Sequence, residues 1–287
     1  MGELLLGTSG WSYNEWGGVF YPTASTNKLT FYSKTFKTAE IDSTFYAYPA
    51  KGLVIGWSRY TPDDFVFSAK LPRLITHEKN LDLEKGVESD LTRFLSLMKP
   101  LIASGKLGPV LIQLPPSFTK AEGFEKLEKF LRVCPEDLMF AVEFRHPSWL
   151  QEDVWSLLKS RRVANVIVDE PLLPPDTVVT ADLAFIRWHG RGNRPWYNYR
   201  YTESELETWA PKVEEVTARA KKTFGYFNNH FRGFAVENSL RMMQMLGVST
   251  PRQDETKDRA TRFIEGDRKR GDDKEGSMLE FVAGKGT

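Results

Sequence analysis

The sequence predicts an α/β protein, a single closed (β/α)8 barrel of the TIM type, and three observations predict it. Eight short segments alternate with period two or are rich in β-branched residues. Helical-period segments lie between most of them, which implies parallel βαβ units. Eight strands in roughly 230 residues fit a barrel in both number and length better than an open doubly wound sheet.

The strands are read, in order, at Leu4 to Ser9, Ala39 to Phe45, Phe65 to Leu71, Val110 to Leu114, Phe140 to Arg145, Val166 to Asp169, Ala184 to His189 and Thr223 to Asn228. Helices are expected from Lys28 to Phe36, Gly86 to Met98, Phe124 to Val133, Trp149 to Ser160, Thr202 to Ala220 and Gly233 to Leu246. The last two carry the clearest punctuation: the capping-box pattern Thr202-Glu203-Ser204-Glu205 opens one, and Gly247 closes the other. Between the sixth and seventh strands, Glu170-Pro171-Leu172-Leu173-Pro174-Pro175 holds three prolines, which disfavour a helix and predict a loop.

The domain boundary falls at Gly247. Residues 1–247 form the barrel, and 248–287 read as a charged, disordered tail, because Pro251 to Gly276 has few large apolar residues with which to offset the cost of ordering. The cluster Met278-Leu279-Glu280-Phe281-Val282 within it suits a short partner-binding motif.

Composition narrows the function classes. Among 287 residues, 39 Lys and Arg meet 38 Asp and Glu, a net charge of +1, which speaks against a protein held to nucleic acid by bulk positive charge. The single cysteine, Cys134, can form no internal disulfide, and no apolar run reaches the length of a membrane helix. The expectation is a soluble cytoplasmic protein. No Gly-rich dinucleotide fingerprint follows a strand, so no nucleotide cofactor motif is present.

In a barrel the chemistry belongs at the carboxyl ends of the strands, and strand parity says which side chains face the axis. That parity sends Glu40, Asp42, Thr44, Ser68, Lys70, Gln113, Glu143, Arg145, Asp169, Arg187, His189, Tyr226 and Asn228 towards one mouth, with Trp11 just beyond the first strand. Buried charges are costly unless they pair or serve a site. Glu143 is read as general acid or base, assisted by His189 and Asp42. Lys70, Arg145 and Arg187 are read as an anion clamp, and Gln113, Trp11, Tyr226 and Asn228 as substrate contacts. A structural salt-bridge lattice is the bland alternative for the arginines.

The four histidines, His77, His146, His189 and His230, lack zinc-site spacing. A single Mg²⁺ or Mn²⁺ on Asp42, Glu143 or Asp169 is the metal arrangement the residue types allow. The loop from Gly190 to Tyr201 places Arg191, Arg194 and Arg200 among Trp196, Tyr197, Tyr199 and Tyr201, a pattern that grips phosphates and stacks bases or sugars.

Six ordered motifs carry a family resemblance: Gly7 to Tyr13, Trp16 to Pro22, Glu40 to Tyr46, Gly108 to Phe118, Val142 to Trp149 and Tyr226 to Asn229. Together they resemble the YecE-like family, also called domain of unknown function 72, over about residues 3 to 246. The resemblance implies a TIM-type barrel and implies no activity. The reading of the residues is an enzyme of hydrolase or isomerase type acting on a phosphate-bearing sugar, nucleotide or nucleic-acid end. The alternative is a non-catalytic module that binds nucleic acid or a metabolite in the same pocket.

Overall fold

The alternation read from the sequence becomes eight parallel strands: β1 (Glu3–Thr8), β2 (Thr38–Ile41), β3 (Val66–Lys70), β4 (Leu107–Gln113), β5 (Phe140–Glu143), β6 (Ala164–Asp169), β7 (Leu183–Trp188) and β8 (Lys222–Phe227). The computed structural model describes residues 2–23, 25–193 and 195–266. Hydrogen bonding runs in the order β1-β8-β7-β6-β5-β4-β3-β2, so the sheet curls until its two edges meet.

The seam between β1 and β2 is short, and three features hold it. Ser9 bridges Glu40, and the Gly10 N–H donates to the Glu40 carbonyl at 2.8 Å. The Tyr32 hydroxyl accepts from the Thr8 N–H at 2.9 Å and donates to the Thr38 carbonyl at 3.1 Å. Gly7 makes the approach possible, since a Cβ there would stand 2.3 Å from the Thr38 carbonyl oxygen.

Inside the barrel Leu5, Leu111, Ala141, Val166, Val168, Phe185, Phe224 and Tyr226 pack as an apolar plug. The outer strand faces, among them Ile41, Phe67, Ile112, Val142, Ile167, Ile186 and Phe227, bury against the helices. Those helices are α1 (Lys28–Tyr32), α2 (Lys51–Arg59), α3 (Val87–Ala103), α4 (Lys120–Val133), α5 (Glu152–Ser160), α6 (Glu203–Arg219) and α7 (Phe234–Met245). The capping box at Thr202 forms as its pattern predicts, with the Thr202 N–H donating to Glu205 Oε2 at 2.8 Å. The proline-rich crossover between β6 and β7 contains no helix. Among the described residues no helix is long and apolar enough to cross a membrane.

Three local features differ from the sequence reading. β2 ends at Ile41 and turns into a 3-10 segment, Ser43–Phe45, instead of running on to Phe45. Helix α2 was not anticipated, because Gly52 and Gly56 interrupt a stretch with no acidic first turn. The charged segment after Gly247 does not begin as a tail: residues 251–266 form a further helix, α8. Its buried Thr256, Ala260 and Ile264 recur every four residues, and Ala260 and Ile264 pack on Val19. Gln253 also donates to the Thr35 carbonyl at 2.7 Å. One narrow stripe of small apolar groups is sufficient to dock a helix against a finished barrel, and average composition hides such a stripe. The Met278–Val282 motif lies outside the described residues.

Candidate active site at the barrel mouth

Above the apolar plug the strand ends carry charge. Glu40 from β2, Lys70 from β3, Gln113 from β4, Glu143 from β5 and Arg187 from β7 are all buried. The Arg187 guanidinium lies between two carboxylates, with Nη1 donating to Glu143 Oε2 at 2.5 Å and Nη2 donating to Glu40 Oε1 at 2.6 Å. Glu143 Oε1 accepts from Gln113 Nε2 at 2.7 Å, from His189 Nε2 at 3.1 Å, and faces Arg145 Nη1 at 3.3 Å. Arg145 in turn pairs with Glu170.

These contacts set the protonation states. Burial works against the charge on Glu143, but Arg187 and Arg145 outweigh it and hold the carboxyl well below the usual range. Burial wins at Glu40, whose pKa is raised despite Arg187. Burial and the charge of Arg145 bring His189 down to about 3, so its imidazole is neutral. The network assigns its proton to Nε2, which donates to Glu143, while Nδ1 accepts from Asn228 Nδ2 at 3.0 Å. Glu170 is pushed up by burial, against the pull of Arg145, to about 7.

Lys70 stands apart. Among the described residues no carboxylate oxygen lies within 4.0 Å of its Nζ, which sits 3.8 Å from the centre of the Phe45 ring. Burial, then the nearby charge of Arg187, lower its pKa to about 8. Three buried polar atoms in the same cluster, Glu40 Oε2, Glu170 Oε1 and Arg187 Nε, have no hydrogen-bond partner among the described residues. Buried polar groups are normally hydrogen-bonded, so orphans of this kind call for a reason.

Several residues expected at the mouth are elsewhere. Asp169 is out of phase with the inward-facing Val166 and Val168, so it points outward, accepting from Arg191 Nε at 2.9 Å and Trp209 Nε1 at 3.1 Å. Glu170, the next residue, takes the inward position that the sequence reading gave to Asp169. The run Val166-Ile167-Val168 is apolar on both faces, so its parity was not legible. Tyr226 is fully buried in the plug, its hydroxyl 2.7 Å from Thr38 Oγ1. Trp11 turns into the helix layer, 6.1 Å from Trp57 and 5.6 Å from Phe67 between ring centroids. Asp42, half-buried, leaves the strand path because β2 stops one residue earlier.

Asp169 is turned away from the other two candidate metal ligands, Asp42 and Glu143, and among the described residues no three acidic, histidine or cysteine side chains form an ion-binding set. His146 caps the 3-10 turn Pro147–Trp149, and His230 stacks on Tyr13 at 4.4 Å and Tyr197 at 5.1 Å. In the loop after β7, Trp196, Arg191, Gly192 and Asn193 line an open cavity of about 520 Å³ with Pro171. Arg194 lies outside the described residues. A second cavity, of about 770 Å³, lies away from the mouth between the same loop, α7 and α8, where Arg200 and Arg241 both pair with Glu237.

Comparisons with known proteins agree with the barrel. YunF of Bacillus subtilis is 30% identical over 283 residues, covering 87% of this chain and 98% of that protein. The crystal structure of a DUF72 family protein from Thermotoga maritima superposes with a TM-score of 0.77 at 34% identity, over 85% of this chain and 99% of that one. A DUF72 family protein from Enterococcus faecalis superposes with a TM-score of 0.75 at 28% identity, over 86% and 96%. The model of the family described as "Protein of unknown function DUF72" matches residues 5–261, which takes in most of α8 as well as the barrel, and the chain belongs to that family.

Proposed function

We propose that this chain is an enzyme of isomerase or hydrolase type that carries out acid–base chemistry on a small, phosphate-bearing substrate at the barrel mouth. One observation carries the reading: Lys70 is buried without a carboxylate partner while Arg187 and Arg145, its fellow cations, are both paired. The Lys70 Nζ is not among the fully buried atoms that lack a hydrogen-bond partner, so it reaches the open mouth, and a mostly buried ammonium presented there without a carboxylate partner is suited to an anionic substrate.

The roles redistribute within the cluster. Glu143 is held deprotonated by the arginines, so it fixes Arg187 and His189 in place and does not exchange protons near neutrality. Glu170, titrating at about 7, is the proton-transfer group. When Glu170 takes up a proton, Arg145, whose side chain is 17% exposed, keeps only Glu143 at 3.3 Å as a charged partner and has donors to spare for the substrate anion. Arg187, spent on Glu40 and Glu143, supports the site and does not grip the substrate.

The full-length protein is to be screened against phosphorylated sugars, nucleotides and abasic or single-stranded DNA, with and without Mg²⁺ or Mn²⁺, beside Glu170→Gln and Lys70→Met. Turnover of one substrate class should fall at least about 10²-fold in each variant. Turnover unchanged in both would overturn the assignment. The second reading, a non-catalytic binding module, draws on the Trp196 and Arg191 cavity, which suits a base or sugar. Weighing against it, Arg191 is already bonded to Asp169. Affinity for single-stranded DNA that does not change with salt would remove phosphate neutralisation as its basis.

A further inference from the structure

A lysine that only neutralises a phosphate keeps its charge and is commonly exposed or paired. Lys70 has neither feature: it is buried, an aromatic ring covers one side of its Nζ at 3.8 Å, and among the described residues no carboxylate stands within 4.0 Å. The cationic Arg187 acts on it from across the mouth, with Glu143, Glu40 and Asp42 as weaker opposing influences, and His77 nearby is held neutral, its pKa brought to about 4 by burial and by Lys70 itself. Burial and a neighbouring cation are the two devices that turn a lysine into a nucleophile at neutral pH, and here they outweigh the Phe45 ring face, which favours the ammonium.

We propose that Lys70 is a carbonyl-reactive lysine, whose amine condenses with the aldehyde or ketone group of a small anionic substrate to form an imine at the barrel mouth. The proposal rests on the mouth being a catalytic site and adds the substrate class, a carbonyl compound bearing an anionic group. In the step, the ammonium first gives up a proton and the free nitrogen pair attacks the carbonyl carbon. The carbonyl π pair moves to oxygen, which is protonated as the nitrogen gives up a second proton, leaving a neutral carbinolamine. That hydroxyl takes a further proton and leaves as water, and the nitrogen ends as a protonated imine. Overall, one ammonium and one carbonyl become one iminium and one water, with no change in oxidation state. The iminium then acidifies the adjacent C–H bond. Glu170, which titrates at about 7 beside Arg145, is suited to receive that proton.

The test uses the full chain, dihydroxyacetone phosphate as the probe and sodium borohydride to reduce any imine to a stable amine, followed by intact mass and peptide mapping. A single adduct on Lys70, formed at least about tenfold faster than on any other lysine, is expected from the lowered amine pKa after allowance for its weaker nucleophilicity. Labelling of Lys70 no faster than of exposed lysines in the wild-type protein, which needs no variant to fold, would overturn the proposal. In Lys70→Arg the fast adduct should vanish, and its persistence elsewhere would also overturn it. The two readings fail separately: loss of turnover in Glu170→Gln without any Lys70 adduct would leave the acid–base enzyme standing and remove the imine.

Discussion

At the scale of single residues, the mouth is a charge lattice with one member left over. Arg187 neutralises parts of Glu40 and Glu143 at 2.6 and 2.5 Å, so replacing it strips buried Glu40 of its contact cation and leaves Glu143 with Arg145 alone. Arg187→Leu is expected to lower unfolding free energy in urea by about 3–5 kcal/mol, and Glu40→Leu/Arg187→Leu/Glu143→Leu to restore most of it. A single variant as stable as the parent would contradict the lattice. Glu170 has its folded pKa raised from 4.5 to about 7, so its proton is bound more tightly in the folded state. Its contribution to stability is fully present below pH 4.5 and is lost as pH rises through 7. Relative to Glu170→Gln, the parent should therefore lose about 2 kcal/mol between those limits, read from urea melts at each pH. Parity in β5 and β7 was legible, since Ala141, Glu143 and Arg145 alternate with Phe140, Val142 and Phe144. In β6 it was not, and a one-residue phase error exchanged Asp169 for Glu170.

At the scale of elements, strands proved easier to read than the turns and small helices around them. The strands announce themselves by alternation or by β-branched and aromatic residues, and the (β/α)8 closure follows from counting them. Helix α2 has no such announcement, because its two glycines weaken propensity and its burial, on Val54 and Trp57, is decided by the barrel wall. Helix α8 was missed for a related reason: it docks through Thr256, Ala260 and Ile264, and its remaining faces are charged. Ala260→Asp puts a carboxylate into that contact. It should destabilise the docked helix by about 1–3 kcal/mol and open residues 248–266 to limited proteolysis while the barrel stays intact. Unchanged protease resistance would show that α8 does not depend on this stripe.

At the scale of the molecule, the near balance of 39 cations and 38 anions describes two populations. Helix surfaces carry exposed pairs such as Arg132 with Glu128 and Lys129 with Glu125, which contribute little. The mouth carries Glu40, Glu143 and Glu170 against Lys70, Arg145 and Arg187, and of these cations Lys70 has no carboxylate at contact distance among the described residues. The sequence located this cluster through strand parity and could not assign its pairing, because pairing depends on how far β2 runs and which way β6 faces. The central claim is that the mouth holds a free, desolvated amine. Nitrogen-detected NMR titration of lysine side chains, with Lys70→Arg for assignment, tests it most directly. One lysine titrating at about 8, and missing from the variant, is the predicted result; a Lys70 signal titrating with the surface lysines, near 10.5, would contradict the account.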